Sequence, residues 1–163
     1  MAKTDVQVRT TDTIIDQVNQ LERVISERAY ALFRDRYGIF GDPVTDWLSA
    51  ERALIWKPTI EVRQRDSQVE ILAALPGVDA KDVDVEVTPQ DVLIKAQVNH
   101  EHTVDEGTVQ ICEFSHGRAF RSVHLPASID PNSVKAEYRN GMLRLTAAVA
   151  QVAAPRKVDI TVA

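Results

Sequence analysis

The side chains best equipped for chemistry lie between residues 100 and 124. His100-Glu101-His102 comes nearest to a metal motif, since residues two apart on a strand share a face, as zinc or copper ligands require. The sequence fixes no third ligand, and the polar stretch around it reads as a solvated charged loop. His116 and His124 are expected to be surface or strand residues, not a general base. Cys112 is the single cysteine. No cysteine-protease-like signature surrounds it, so a partly buried thiol is expected. GxGxxG, P-loop and HExxH spacings are absent, which removes the common nucleotide and zinc-protease mechanisms. Asp and Glu fall singly at alternating strand positions, where solvated faces account for them better than paired acid–base catalysis. No catalytic, cofactor-binding or metal site is assigned.

Composition narrows the classes further. The chain has 163 residues, 44% apolar and 26% charged, with a formal net charge of −5. That suits one soluble domain with appendages. An acidic balance lacks the electrostatic footprint of a nucleic-acid binder. A lone cysteine excludes an internal disulfide framework and fits a reducing compartment. The start, MAKTDVQVRTTDT, has no apolar signal core. No run approaches ~18 apolar residues, so no membrane span is expected, and the expected location is the cytoplasm.

The elements themselves are marked by period. In VKAEYRNGMLRLT (134–146), Asn140-Gly141 predicts a type I′ hairpin turn. That register places Tyr138 opposite Leu143, Ala136 opposite Leu145, Val134 opposite Ala147, and Glu137 opposite Arg144. A turn at Asp66-Ser67 likewise sets Val62 against Ile71 and Arg63 against Glu70. Leu75-Pro76-Gly77 breaks the run. Val83, Val85 and Val87 then alternate with acids, Thr88-Pro89-Gln90-Asp91 turns the chain, and Val92, Ile94, Ala96 and Val98 alternate again. Arg118–Leu125 supplies another strand, closed by Pro126. Short alternating strands without intervening helices predict an antiparallel sandwich.

Before Pro58 the period is 3.6. Ile14, Val18, Leu21, Ile25, Ala29 and Leu32 form one helical stripe, with Gly38 as the expected cap. Asp42-Pro43 predicts the start of a second helix, and Val44, Trp47, Leu48, Leu54 and Ile55 its apolar face, with Pro58 as its stop. Two helices alone make a poor core, so their stripes are expected to pack elsewhere, for instance on another copy. Residues 99–117 form the longest interruption, within which Thr108–Phe114 reads as a strand. The tail beyond Gln151 carries a short alternating segment suited to pairing with an exposed edge, in cis or in trans. The organisation is thus a helical arm at 1–57, a sandwich at 58–150 and an extended tail at 151–163.

From about Ile60 to Val149 this ordered pattern resembles the alpha-crystallin domain of the small heat-shock protein family, bacterial and plant type. Ala136, Gly141 and Leu143 match its A-x-x-x-x-G-x-L signature, with Asn140 before the glycine. Leu75-Pro76-Gly77-Val78 is similar to its LPG segment. Glu113 to Gly117, followed by Phe120-Arg121 and Leu125-Pro126, is similar to its E-x-x-x-G…F-x-R-x-x-x-L-P stretch. Here the phenylalanine adjoins Arg121 and Ala119 takes the usual aromatic position. Val158-Asp159-Ile160 resembles the C-terminal I/V-x-I/V motif, with Ile160-Thr161-Val162 as an alternative register.

The resemblance implies a mainly β, antiparallel, immunoglobulin-like β-sandwich behind an α-helical arm, acting as an ATP-independent holding chaperone. It implies no enzyme activity and no cofactor; the partners would be the chain itself, as dimer and larger homo-oligomer, and unfolding client proteins. The strand carrying Val109, Ile111 and Phe114, with Arg121, would form the dimer loop. Val158, Ile160 and Val162 would dock in a neighbour's groove lined by Val83, Val85, Val87, Val134, Ala136 and Tyr138. Arm residues Ile14, Val18, Leu21, Phe33, Phe40, Trp47 and Leu48 would serve client capture or assembly. The alternatives are a small non-oligomeric co-chaperone or adaptor sandwich, and a carbohydrate-binding sandwich. The last is disfavoured, because 6% aromatic residues make a poor stacking platform.

Overall fold

The computed structural model describes residues 6–11, 14–36, 41–98, 108–112 and 117–151. In chain order the elements are β1 (Gln7–Thr10), α1 (Ile15–Asp35), α2 (Pro43–Leu54), β2 (Ile55–Trp56), β3 (Ile60–Arg65), β4 (Gln68–Ala74), β5 (Val83–Val87), β6 (Asp91–Val98), β7 (Gly117–His124), β8 (Lys135–Arg139) and β9 (Met142–Ala148). They form a five-stranded sheet, ordered β1-β5-β6-β7-β2, and a four-stranded sheet, ordered β3-β4-β9-β8.

The turn residues set the register as expected. Asp66, Asn140 and Gly141 all have positive φ. Val62 then pairs with Ile71 and Arg63 with Glu70, while Tyr138 pairs with Leu143, Ala136 with Leu145 and Glu137 with Arg144. The hairpin ladder begins at Lys135, so Val134 stays outside it, following a short 3-10 turn. Alternation sends Val69, Ile71 and Ala73 of β4 inward against Leu143, Leu145 and Ala147 of β9. From the facing sheet come Val83, Val85 and Val87 of β5, Val92, Ile94, Ala96 and Val98 of β6, and Ala119 and Val123 of β7. This is the principal core.

The arm departs from expectation in three places. Helix α2 starts as foreseen, with the Asp42 carboxylate accepting from the backbone N–H of Val44 at 3.3 Å and of Thr45 at 3.2 Å. It ends at Leu54, before Pro58, because Ile55 turns extended and opens β2. The helical stripes need no second copy: Leu21, Ile25, Ala29 and Leu32 of α1 pack with Trp47, Ala50 and Leu54 of α2, Ile55, and Phe120 of β7. An Arg36–Asp46 ion pair at 2.5 Å joins the end of α1 to the buried face of α2. Val44 and Leu48, assigned to that face by spacing, are exposed instead.

The arm also gives both edge strands of the larger sheet. β1 pairs in parallel with β5, and β2 in parallel with β7. Isolated edges of β5 and β7 would leave backbone donors and acceptors unpaired, and these short segments satisfy part of each. The β2–β7 register sets Trp56 beside Ala119. Trp56 packs on the principal core, where Ala119 is fully buried and small, while Phe120 points the other way into the helical cluster. The aromatic bulk missing at position 119 is thus supplied from the arm.

The hairpin tip is clamped onto the Leu75–Val78 bend. The N–H of Leu75 donates to the carbonyl of Gly141 at 2.7 Å. The Tyr138 hydroxyl lies 2.9 Å from the Leu75 carbonyl and 2.8 Å from that of Val78, so its one proton is shared between two acceptors. A Cβ on Gly141 would meet Pro76 Cα at 3.5 Å, which is ordinary contact, so its φ of +74° is the stronger demand for glycine. Gly141→Val should therefore lower stability by about 1–3 kcal/mol; a melting temperature equal to wild type would show the turn to be misassigned. Tyr138→Phe should cost about 1 kcal/mol, since two carbonyls lose their donor. Burial, and then the charge of Asp79, push the Tyr138 phenol above its ordinary pKa of 10.0. The neutral form is the one the fold favours, so its contribution is complete below that ordinary value and is lost as pH rises through the raised one. The gap in melting temperature between wild type and Tyr138→Phe should accordingly narrow in strong alkali.

Candidate functional site

Two kinds of surface stand out once the chain is folded: sheet edges, and the outer faces of the arm. In the four-stranded sheet the outermost strands are β3 and β8. Each has one ladder partner among the described residues, β4 for β3 and β9 for β8. The segment Thr108–Cys112, expected to be part of a strand, is not one here. Val109 and Ile111 are exposed, Ile111 at 83%. Alternation alone makes no strand; the segment needs a sheet edge, and among the described residues no strand is paired with it. Phe114 lies outside the described residues. Arg121, on β7, keeps a buried Nε with no partner among them. Cys112 is exposed, not partly buried as expected.

The groove residues divide between the two sheets. Val83, Val85 and Val87 are fully buried in β5, while Val134, Ala136 and Tyr138 are half-buried at the β8 margin and pack on the same core. Val6 and Val8 are also half-buried and pack on that core. The β5 edge is occupied by the chain's own β1: Gln7 pairs with Asp84, Val8 with Val85, Arg9 with Glu86 and Thr10 with Val87. The Thr11 N–H continues the ladder to the Val87 carbonyl at 3.0 Å. Val158, Ile160 and Val162 lie outside the described residues.

On its outer face β5 carries Asp84 and Glu86, expected to be solvated. They belong instead to a charge network. Arg9 grips Asp84 with two hydrogen bonds, Nη2 to Oδ2 at 2.6 Å and Nε to Oδ1 at 3.2 Å. Lys95, opposite Asp84 on β6, reaches Asp84 at 3.0 Å and Glu86 at 2.5 Å. Its ammonium also donates to Gln17 Oε1 of α1 at 2.8 Å, and the Gln17 amide donates to Glu86. Burial works to raise the Asp84 pKa, but hydrogen bonds from Arg9 and Lys95 outweigh it and hold the carboxyl below its usual range. Two cations meet two carboxylates, Glu86 only 8% exposed, and the set ties both β1 and α1 to the sheet. The signal for this network was present in sequence, since Lys95 opposite Asp84 follows from the turn at residues 88–91. It required the register before it could be read.

The arm residues singled out by sequence also divide. Ile14 is buried, Val18 half-buried, and Leu21 and Trp47 belong to the helical cluster. Phe33 and Leu48 are exposed, at 45% and 41%, together with Val24, Tyr30 and Val44, which spacing had not marked for binding. Tyr30 and Phe33 lie side by side, ring centroids 6.3 Å apart. Phe40 lies outside the described residues, as do His100, Glu101, His102 and His116. His124 is on β7, its Nδ1 2.9 Å from Asp91 Oδ1. Among the described residues no cluster of three or more metal-binding side chains occurs. No helix among them is long and apolar enough to cross a membrane. What these surfaces offer is backbone hydrogen bonding along edges and apolar contact on the arm.

Comparison with known proteins agrees with this architecture. The model of the Hsp20/alpha crystallin family matches residues 61–161, more than half of the chain. Small heat shock protein C2 of Rickettsia felis is 28% identical over 112 residues, covering 69% of this chain and 71% of that protein. Alpha-crystallin of Mycobacterium tuberculosis is 34% identical over 93 residues, 56% of this chain and 62% of that one. Heat shock protein 16.0 of Schizosaccharomyces pombe superposes with a TM-score of 0.54 at 27% identity, over 65% of this chain and 99% of that chain. A small heat-shock protein of Xylella fastidiosa shares the fold with a TM-score of 0.53 at 24% identity, over 65% and 97%. With its two sheets, hairpin clamp and ordered motifs, the chain belongs to the Hsp20/alpha-crystallin family of small heat-shock proteins.

Proposed function

We propose that the protein is an ATP-independent holding chaperone, a dimer-based oligomer that binds unfolding proteins before they aggregate. The observation that carries this reading is the outer face of the arm. There Val24, Tyr30, Phe33, Val44 and Leu48 stand exposed on helices whose opposite faces are already buried. Unfolding proteins present apolar surface and unpaired strand edges, and such a face meets the first without a shaped pocket. Family membership supports the same role.

Assembly follows from the edges. The segment around Val109 and Ile111 adds to a partner's β3, and the tail with Val158 and Ile160 docks between β5 and β8 of a neighbour. A second reading, a small adaptor that works without oligomerising, is favoured by one observation, the β5 edge already paired with β1.

Three outcomes are expected. At substoichiometric to equimolar ratios the protein should suppress light scattering from a heat-aggregating client without ATP, and well-folded protein that does not would end the chaperone reading. Phe33→Ser with Leu48→Ser should weaken that protection several-fold while stability changes by less than about 1 kcal/mol, as for exposed positions. Undiminished protection would place client contact elsewhere. Val158→Ser with Ile160→Ser should reduce the molar mass towards that of a dimer; an unchanged mass would show that the tail does not bridge subunits.

A further inference from the structure

We infer that the cleft between α1 and the outer face of the larger sheet is a binding site for a small amphipathic carboxylate, one anionic head on an aliphatic chain. The cleft has a volume of about 650 Å³, within the range of roughly 300–1,000 Å³ usual for small-molecule sites. Its walls come from both halves of the molecule. Gln17, Gln20, Leu21 and Val24 of α1 form one side, Leu54 and Ile55 close the end, and β5, β6 and β7 give the floor.

Strand register fixes where the polar groups stand. Ile55 of β2 pairs with Arg118 of β7, and Arg118 with Gln97 of β6. Two residues along β7, on the same face, Phe120 enters the helical cluster beside Leu21 and Leu54. Arg118 thus borders the apolar end of the cleft. Among the described residues the side chains of Arg118, Gln97 and Gln20 have no hydrogen-bonding or ionic partner. The other charges of the cleft are neutralised or distant. Asp84 is held by Lys95 at 3.0 Å and by Arg9 at 2.6 Å. Asp82, which leads into β5, lies two strands from Arg118, about 10 Å at the backbone and roughly one Debye length at 0.1 M salt. An unpaired guanidinium beside an apolar corner, with two amides in the same cleft, complements a carboxylate whose chain lies along Phe120.

The site exists only while α1 lies on the sheet, where Gln17, Lys95 and Glu86 hold it. A bound carboxylate spans the seam between arm and sandwich, so by mass action it stabilises the docked arm. Phe33 and Leu48, on the outer face of the arm, do not line this cleft.

The test titrates full-length protein with dansyl-labelled undecanoate, below its micelle concentration, and follows the rise in dansyl emission. One probe per chain should bind, and decanoate should displace it at least about tenfold more readily than decanol or decylammonium does. Arg118→Gln should weaken binding about tenfold, the factor expected for one charge-assisted hydrogen bond. Val24→Asp, which sets a like charge on the apolar wall, should weaken it at least as much. Both side chains are exposed, so both variants should fold. Phe33→Ser with Leu48→Ser should bind as wild type. The site is overturned by absence of saturable binding, by equal displacement with the neutral or cationic chain, or by undiminished affinity in either cleft variant. Loss of binding in the Phe33 and Leu48 variant also overturns it, placing the probe on the outer face of the arm.

Discussion

A strand at the margin of a sheet leaves every second backbone N–H and C=O without a neighbour, and most of this architecture follows from where those groups find partners. β5 finds one in β1 and β7 in β2, both drawn from the arm and both added in parallel to an otherwise antiparallel set. The margins of the smaller sheet, β3 and β8, receive no such cover from the described residues. One sheet is thus closed by its own chain and the other left open. That asymmetry, more than any side chain, distinguishes the two faces of the sandwich as places for another polypeptide to attach.

The arm is integrated with the sandwich in a graded way. Its helical pair has a small core of its own, into which the sandwich inserts Phe120. In return the arm inserts Trp56 where Ala119 leaves room. Between these apolar joints lies the network of Arg9, Asp84, Lys95, Glu86 and Gln17, with the less exposed pairs towards α1 and the more exposed one at β1. Packing and charge therefore grade the attachment from firm near β2 to loose near β1.

Much of this was legible in the residues. Asn140-Gly141 and Asp66-Ser67 determined two registers because a positive φ admits few residue types, and alternation did the rest. The helices were legible from period and from Asp42-Pro43. Illegible were β1 and β2, of four and two residues, because such short runs carry no periodicity of their own and exist only against an edge made elsewhere. The failure at Thr108–Cys112 has the same cause with opposite sign: a strand-like pattern stays irregular without an edge. The charge network was missed because single acids on alternating positions suggest solvent until a helix is known to lie over them. Exposure of Val44 and Leu48, finally, depends on which side of α2 meets α1, which spacing on one helix does not determine.

The two tryptophans of the chain fall one to each core. Trp47 belongs to the helical cluster and Trp56 to the principal one, next to Ala119. Their fluorescence therefore reports on two different parts of the molecule. Loosening of the helical pair exposes the indole at 47, while loss of the β2–β7 joint exposes the one at 56. The aromatic ring that the arm places beside Ala119 thus gives the molecule an optical label at the seam between its two halves.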